Sequence, residues 1–187
     1  MKSYGMESVG RVLKGAEEEV DRYDAILGYL GGHHRIDEIA LLVTDTAQLD
    51  MLDGLLQNEF GWERFNKAND SVRTAPIRSG YTVEYTFYRC QEVPWRLEVM
   101  RLTSGISPLH SAIPLPLMAQ VCTPVHASFK CADEESYAVA RYELDDRGWF
   151  LAQQCDSTYG RFSYYTKIGS APSRVPYLKP RANLRDG

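Results

Sequence analysis

The feature that most constrains this chain is a strand-and-helix unit that occurs twice. The first copy runs Glu38-Ile-Ala-Leu-Leu-Val-Thr-Asp45 and continues through an apolar-periodic stretch to Phe60-Gly61-Trp62. The second runs His126-Ala-Ser-Phe-Lys-Cys-Ala-Asp133 and continues to Arg147-Gly148-Trp149. Matching landmarks lie about 88 positions apart, which within 187 residues points to duplication of one supersecondary unit. A second match pairs Val93-Pro94-Trp95-Arg96 with Val175-Pro176-Tyr177-Leu178.

The rest of each half reads as strands. After Asp45, with Gln48 three residues on as in a capping box, Leu49, Leu52, Leu56 and Phe60 line one helix face. Residues 63–80 suggest a short strand and a polar loop from Asn66 to Arg73. Thr82 to Cys90 and Trp95 to Leu102 are strands by composition and alternation. In the second half the strands are Val121 to Cys131, Phe150 to Asp156, Arg161 to Ile168 and Val175 to Leu184. Element order is therefore βαβββ twice, over residues 35–102 and 121–184. A linker at 103–120, marked by Gly105, Pro108, Pro114 and Pro116, joins them into one α+β domain at 35–184.

Ahead of the repeat, residues 1–32 form a helical extension. Val9, Leu13, Ala16, Val20, Tyr23, Leu27 and Leu30 recur at steps of four and three, an amphipathic stripe. That stripe offers a face to dock on the domain or a seam between two copies. His33-His34 with Asp37 and Glu38 reads first as a solvated turn, because adjacent residues on an extended chain point apart.

Composition excludes some classes. A formal charge of −4 argues against general nucleic-acid binding. No apolar run approaches the roughly 18 residues of a membrane span, and the N-terminal stretch has no signal-peptide pattern. Four scattered cysteines without a C-x-x-C pair suit buried thiols in a cytoplasmic protein better than a disulfide framework or a cysteine zinc site.

Strand alternation separates two faces. Ile39, Leu41 and Val43 oppose Glu38 and Ala40; Leu97 and Val99 oppose Arg96, Glu98 and Met100. In the second half Val125, Ala127, Phe129 and Cys131 oppose His126, Ser128 and Lys130. Each strand thus turns one apolar row toward helices and one polar row away, and the polar rows hold Glu38, Glu98 and His126.

The duplicated βαβββ order, with "RIDEIALLVTD" at 35–45, "WRLEVM" at 95–100 and "PVHASFKCAD" at 124–133, resembles the vicinal-oxygen-chelate superfamily of glyoxalase I, extradiol dioxygenases, epimerases and bleomycin-type resistance proteins. With its N-terminal helix it also resembles YecM-type metal-binding proteins. The resemblance implies a curled mixed sheet around a cleft, with metal ligands from the first, fourth, fifth and eighth strands. Glu38, Glu98 and His126 fall on three of those positions; the fourth falls near Lys179, Pro180 or Arg181, none of which is a metal ligand. Glu38 departs from the His or Gln common at the first position.

Two readings of the centre stand. In one, the three residues hold a divalent ion (Mn, Fe, Zn or Ni) with Glu38 as ligand or as catalytic base. The chain is then a lyase, isomerase or dioxygenase of a small oxygenated anion, bound by Arg96, Ser128, Lys130, Tyr165 and Lys167. In the other, Glu38 and Glu98 pair with Arg96, Lys130 or Arg181 and hold no ion. The protein is then a metal-free binder, in some relatives a homodimer, or a regulatory module whose helix holds a partner.

Overall fold

Each helix of the repeat starts on an aspartate and stops on a glycine–tryptophan pair, and those signals set its length. Asp45 accepts from the Gln48 amide at 2.8 Å, and Asp133 accepts from the Ser136 amide at 2.7 Å. Gln48 Oε1 in turn accepts from the Thr44 amide, so the first cap is reciprocal. At the other end Gly61 and Gly148 adopt φ of 69° and 75°, the left-handed conformation that ends helices. The following Trp62 and Trp149 fold back, their amides bonding to Leu56 and Leu144.

The computed structural model describes residues 2–31, 34–75, 80–105, 121–167 and 175–183. In chain order the elements are α1 (Lys2–Leu27), β1 (Glu38–Val43), α2 (Thr46–Asn58), β2 (Glu63–Ala75), β3 (Gly80–Arg89) and β4 (Arg96–Gly105). Then follow β5 (Thr123–Cys131), α3 (Glu134–Asp146), β6 (Phe150–Asp156), β7 (Gly160–Thr166) and β8 (Tyr177–Asn183). The linker prolines, His33 and the basic residues Arg174 and Arg185 lie outside the described residues. No helix among those described is long and apolar enough to cross a membrane.

The mixed sheet closes in the order β1-β4-β3-β2-β6-β7-β8-β5. Within each module the first strand lies parallel to the last, β1 on β4 and β5 on β8. The modules meet antiparallel at β1–β5 and again at β2–β6, where only Arg73 to Ala75 pair with Gln154 to Asp156.

Alternation sorts the core as expected. Ile39, Leu41, Val43, Leu97, Val99, Ala127, Phe129 and Cys131 pack outward against the helices. Ala40, Leu42 and Met100 face the interior with Val83, Tyr85 and Tyr164. Val125 departs from its expected outward row. A β-bulge between Ala40 and Leu41 makes them pair with His126 and Pro124, so Val125 is the extra residue and joins the interior.

The polar stretch Asn66 to Arg73, expected as a loop, is instead the body of a thirteen-residue strand. It pairs with β3 from Glu63 to Arg73. Its backbone is satisfied by that ladder, which outweighs the weak strand preference of Asn, Lys and Asp.

α1 docks on its own domain. Val9, Ala16, Val20, Tyr23, Leu27 and Leu30 are buried in the same cluster as the outward rows, joined by Val12, with Leu13 half-buried. Tyr23 packs on Trp149 at 6.2 Å and donates to the Val175 carbonyl at 2.7 Å, which ties the helix to the second module.

Candidate functional site

Register places the charged interior. Glu38 lies beside Arg96 across β1–β4, and Glu98 is two residues further along β4. His126 lies beside Tyr177 across β5–β8, and Lys179 is two residues further along β8. Glu38 therefore corresponds to His126, and Glu98 to Lys179. Glu38, Glu98 and His126 converge, and Lys179 joins them.

Glu38, Glu98 and His126 are 2%, 3% and 0% exposed, and one ligand atom from each falls within 4.8 Å of the others. These donors are of the type and spacing that could hold a metal ion. The fourth corner is Lys179, whose Nζ lies 3.2 Å from His126 Nε2 and 3.9 Å from Glu98 Oε2. The remaining wall of that ammonium is aromatic: it lies 4.5 Å from the Phe162 ring centroid and 5.9 Å from that of Tyr164.

Two arginines complete the cluster. Arg96 brings Nη2 to 2.7 Å and Nε to 2.9 Å from one Glu38 oxygen. Arg181 pairs with Asp37 at 2.5 Å and donates through Nε to Ser128 at 2.9 Å. Burial would raise the Glu38 carboxyl, but the Arg181 charge, hydrogen bonding with His126 and Glu98 and the Lys179 charge hold it well below the ordinary glutamate range. Burial and the neighbouring Glu38 charge push Glu98 well above that range. Burial and Lys179 push His126 down to about 3, leaving a neutral imidazole.

Three acidic side chains, Asp37, Glu38 and Glu98, face three basic ones, Arg96, Lys179 and Arg181. A divalent ion would add positive charge to a buried cluster whose carboxyl groups are already matched. His126 Nδ1 has no hydrogen-bond partner among the described residues, whereas a metal-bound histidine is ordinarily oriented by a bond to its other nitrogen. Donor type and spacing suit an ion; the charge and the fourth corner do not.

Above the cluster is a hollow of about 220 Å³. Glu38, Arg96, Glu98, Lys179 and Arg181 form its floor, and Tyr85, Phe87, Tyr159 and Phe162 stand in its walls. The β6–β7 turn lines it through Ser157, Tyr159 and Gly160, with the Thr158 amide bonded to Asp70 of β2 at 3.0 Å. Pro180, which has no amide hydrogen, sits between Lys179 and Arg181, and the β7–β8 register skips Lys179 and Pro180.

Of the residues expected to bind substrate, Arg96 lines this hollow and Ser128 lies beneath it holding Arg181. Lys130 is not brought there; it is exposed near the end of β5, beside His34 in a separate surface hollow. Tyr165 faces the helices and meets Arg141, while its neighbour Tyr164 faces His126 at 5.3 Å between ring centroids. Lys167 lies past the end of β7, exposed over Trp149. Tyr164 and the contact of Lys179 with His126 were not legible in the sequence, since both depend on which residues stand opposite across the barrel.

No family model matches the chain, and no curated protein matches it. Solved structures do. Methylmalonyl-CoA epimerase from Mycobacterium tuberculosis is similar with a TM-score of 0.50 at 13% identity, over 80% of this chain and 88% of that one. A hypothetical protein from Bacillus halodurans C-125 also gives 0.50 at 13% identity, over 83% and 99%. A mutant 4-hydroxymandelate synthase from Streptomyces coelicolor gives 0.48 at 10% identity, over 82% of this chain and 50% of that one. At these identities the likeness is one of fold, and it agrees with the strand order and the repeat. The chain carries the duplicated βαβββ fold expected from its sequence, and it shares that fold with the methylmalonyl-CoA epimerase structure.

Proposed function

We propose that the cleft binds a small oxygenated anion and transfers a proton on it, as an isomerase or lyase does. The observation that carries this is the floor of the hollow: three cations, Arg96, Lys179 and Arg181, with a buried carboxylic acid beside a carboxylate. Paired titratable groups whose surroundings drive their pKa values apart are how one site keeps an acid and a base at the same pH. A hollow of about 220 Å³ lies below the ~300–1,000 Å³ of drug-sized pockets, which suits a metabolite of a few carbons.

In this reading Arg96 and Arg181 attract the anion and keep Glu38 ionised. Glu38 takes the proton from a carbon next to a carbonyl, and the electron pair moves onto the carbonyl oxygen. Lys179 and the Glu98 hydroxyl stabilise that oxyanion. Glu38 is a weak base at its lowered pKa, so the step depends on strong oxyanion stabilisation. The proton returns to carbon, or a neighbouring leaving group departs.

A panel of small hydroxy-, keto- and dicarboxylates is screened by thermal shift, and hits are held in D₂O and followed by NMR. Hits should raise the melting temperature of the wild type and not of Arg96→Met, and should exchange the hydrogen next to the carbonyl. Glu38→Gln should bind but not exchange. If no anion binds, the reading fails. Binding without exchange would mark a sequestering protein, the role that the aromatic walls alone favour.

A further inference from the structure

The position that completes the centre is held by a residue that no ion can use while it is charged. Lys179 stands two residues beyond the partner of His126 on β8, as Glu98 stands two residues beyond the partner of Glu38 on β4. It is 5% exposed and surrounded by His126, Glu98, Phe162 and Tyr164. We propose that Lys179 is the resident cation of this centre, its ammonium taking the position and the charge that a divalent ion would supply, so that the site is built to work without one.

Two independent features support this. Lys179 Nζ stands 3.2 Å from His126 Nε2, in the space that a metal on that nitrogen would need. Charge gives the second. If Glu98 is ionised, Asp37, Glu38 and Glu98 balance Arg96, Lys179 and Arg181; if it is protonated, one positive charge is left over. In neither state does the cluster require a further dication, and adding one would leave a net +2 in the first state and +3 in the second. The Nδ1 of His126, unpartnered among the described residues, fits the same picture, since none of them orients the ring for a metal.

What the lysine supplies is a fixed, desolvated electrophile at the floor of the hollow. An ammonium presents three donors, and Lys179 is among the residues that line the hollow. The ligand class is the oxyanion of a carboxylate or enolate rather than a neutral chelating pair of oxygens.

The test uses metal alone, so it stands apart from whether any organic anion binds. Full-length protein purified without affinity nickel is titrated with Mn²⁺, Zn²⁺ and Co²⁺, by calorimetry and, for Co²⁺, by visible absorption. Wild type should show no ion in the cleft, whereas Lys179→Glu, which gives the fourth corner a carboxylate, should take up about one ion per chain, at least ~100-fold more tightly. Lys179→Met, which removes the charge and keeps the length, should gain binding too, and it serves if Lys179→Glu does not fold. Adding His126→Ala to either variant should abolish the gain. One ion per wild-type chain, lost in His126→Ala, would overturn the proposal. So would folded Lys179 variants that bind no better than wild type.

Discussion

The interior of the first module reads Glu38, Arg96, Glu98 and Met100; the matching positions of the second read His126, Tyr177, Lys179 and Arg181. The backbone is repeated and the chemistry is not. One half brings two carboxyl groups and a single cation; the other brings two cations and a neutral imidazole. Neither half is balanced alone, because Glu38 draws on Arg181 and Lys179 from the far module for its charge. The difference teaches that after duplication the scaffold fixed where side chains point, while charge was distributed across the seam. The β1–β5 pairing, bulged beside His126, is what lets the two halves meet.

The sharpest way to break that account is to give the second module the first module's residue. Arg181→Met copies Met100 into its counterpart. It strips Asp37 of its partner, Ser128 of its donor and Glu38 of an opposing charge. Removing one partner of a buried pair costs about 3–5 kcal/mol; the lower end applies here, because the Asp37 side chain is 39% exposed and water can reach it. Guanidinium unfolding measures it. A loss under about 1 kcal/mol would mean that the cross-module charges are not what holds the seam.

A smaller effect sharpens the other half of the comparison, the repeated backbone. Gly61 and Gly148 share a left-handed conformation, and an added Cβ would meet nothing within 4 Å at either. Gly61→Ala and Gly148→Ala should each cost about 1–2 kcal/mol, the conformational term alone. The two losses should agree within roughly 0.5 kcal/mol and add in the double variant. A clearly larger loss at Gly148 would show that the second helix end also sets the seat of α1, since Trp149 beside it packs on Tyr23.

How much of this was legible in the sequence follows from what each feature depends on. The repeat, the caps, the glycines and the rows of β1 and β4 are local, set by chain chemistry and alternation, and the structure shows them as expected. Features that need a partner strand did not come through. Asn66 to Arg73 is a strand only because β3 lies along it. Val125 changed sides at a bulge that two strands create together. Tyr164, one position from the expected Tyr165, faces the site because of its register in the barrel. Lys179 was placed near the fourth corner, but its bond to His126 needed the β5–β8 register. Charge balance was hardest to read, because it sums residues from both modules.

The smallest expected effect tests the protonation that makes the modules unequal. Glu98 is raised because it is buried, and because Glu38, already ionised, sits against it. A carboxylic acid donating to a carboxylate is closely imitated by an amide, so Glu98→Gln should change stability by less than about 1 kcal/mol near pH 6. The pH dependence carries the sign. A carboxyl whose folded pKa is raised binds its proton more tightly when folded, so its stabilising contribution is complete below the ordinary value of 4.5 and fades as pH rises through the folded value. Wild type should therefore lose stability on that alkaline limb while Glu98→Gln does not, and the gap should move in favour of the variant as pH rises. Urea melts at a series of pH values follow it directly. A variant several kcal/mol weaker at every pH above 5 would mean that Glu98 is ionised and paired with Lys179. The first module would then contribute two negative charges to the seam, and the cluster would be neutral rather than one charge in excess.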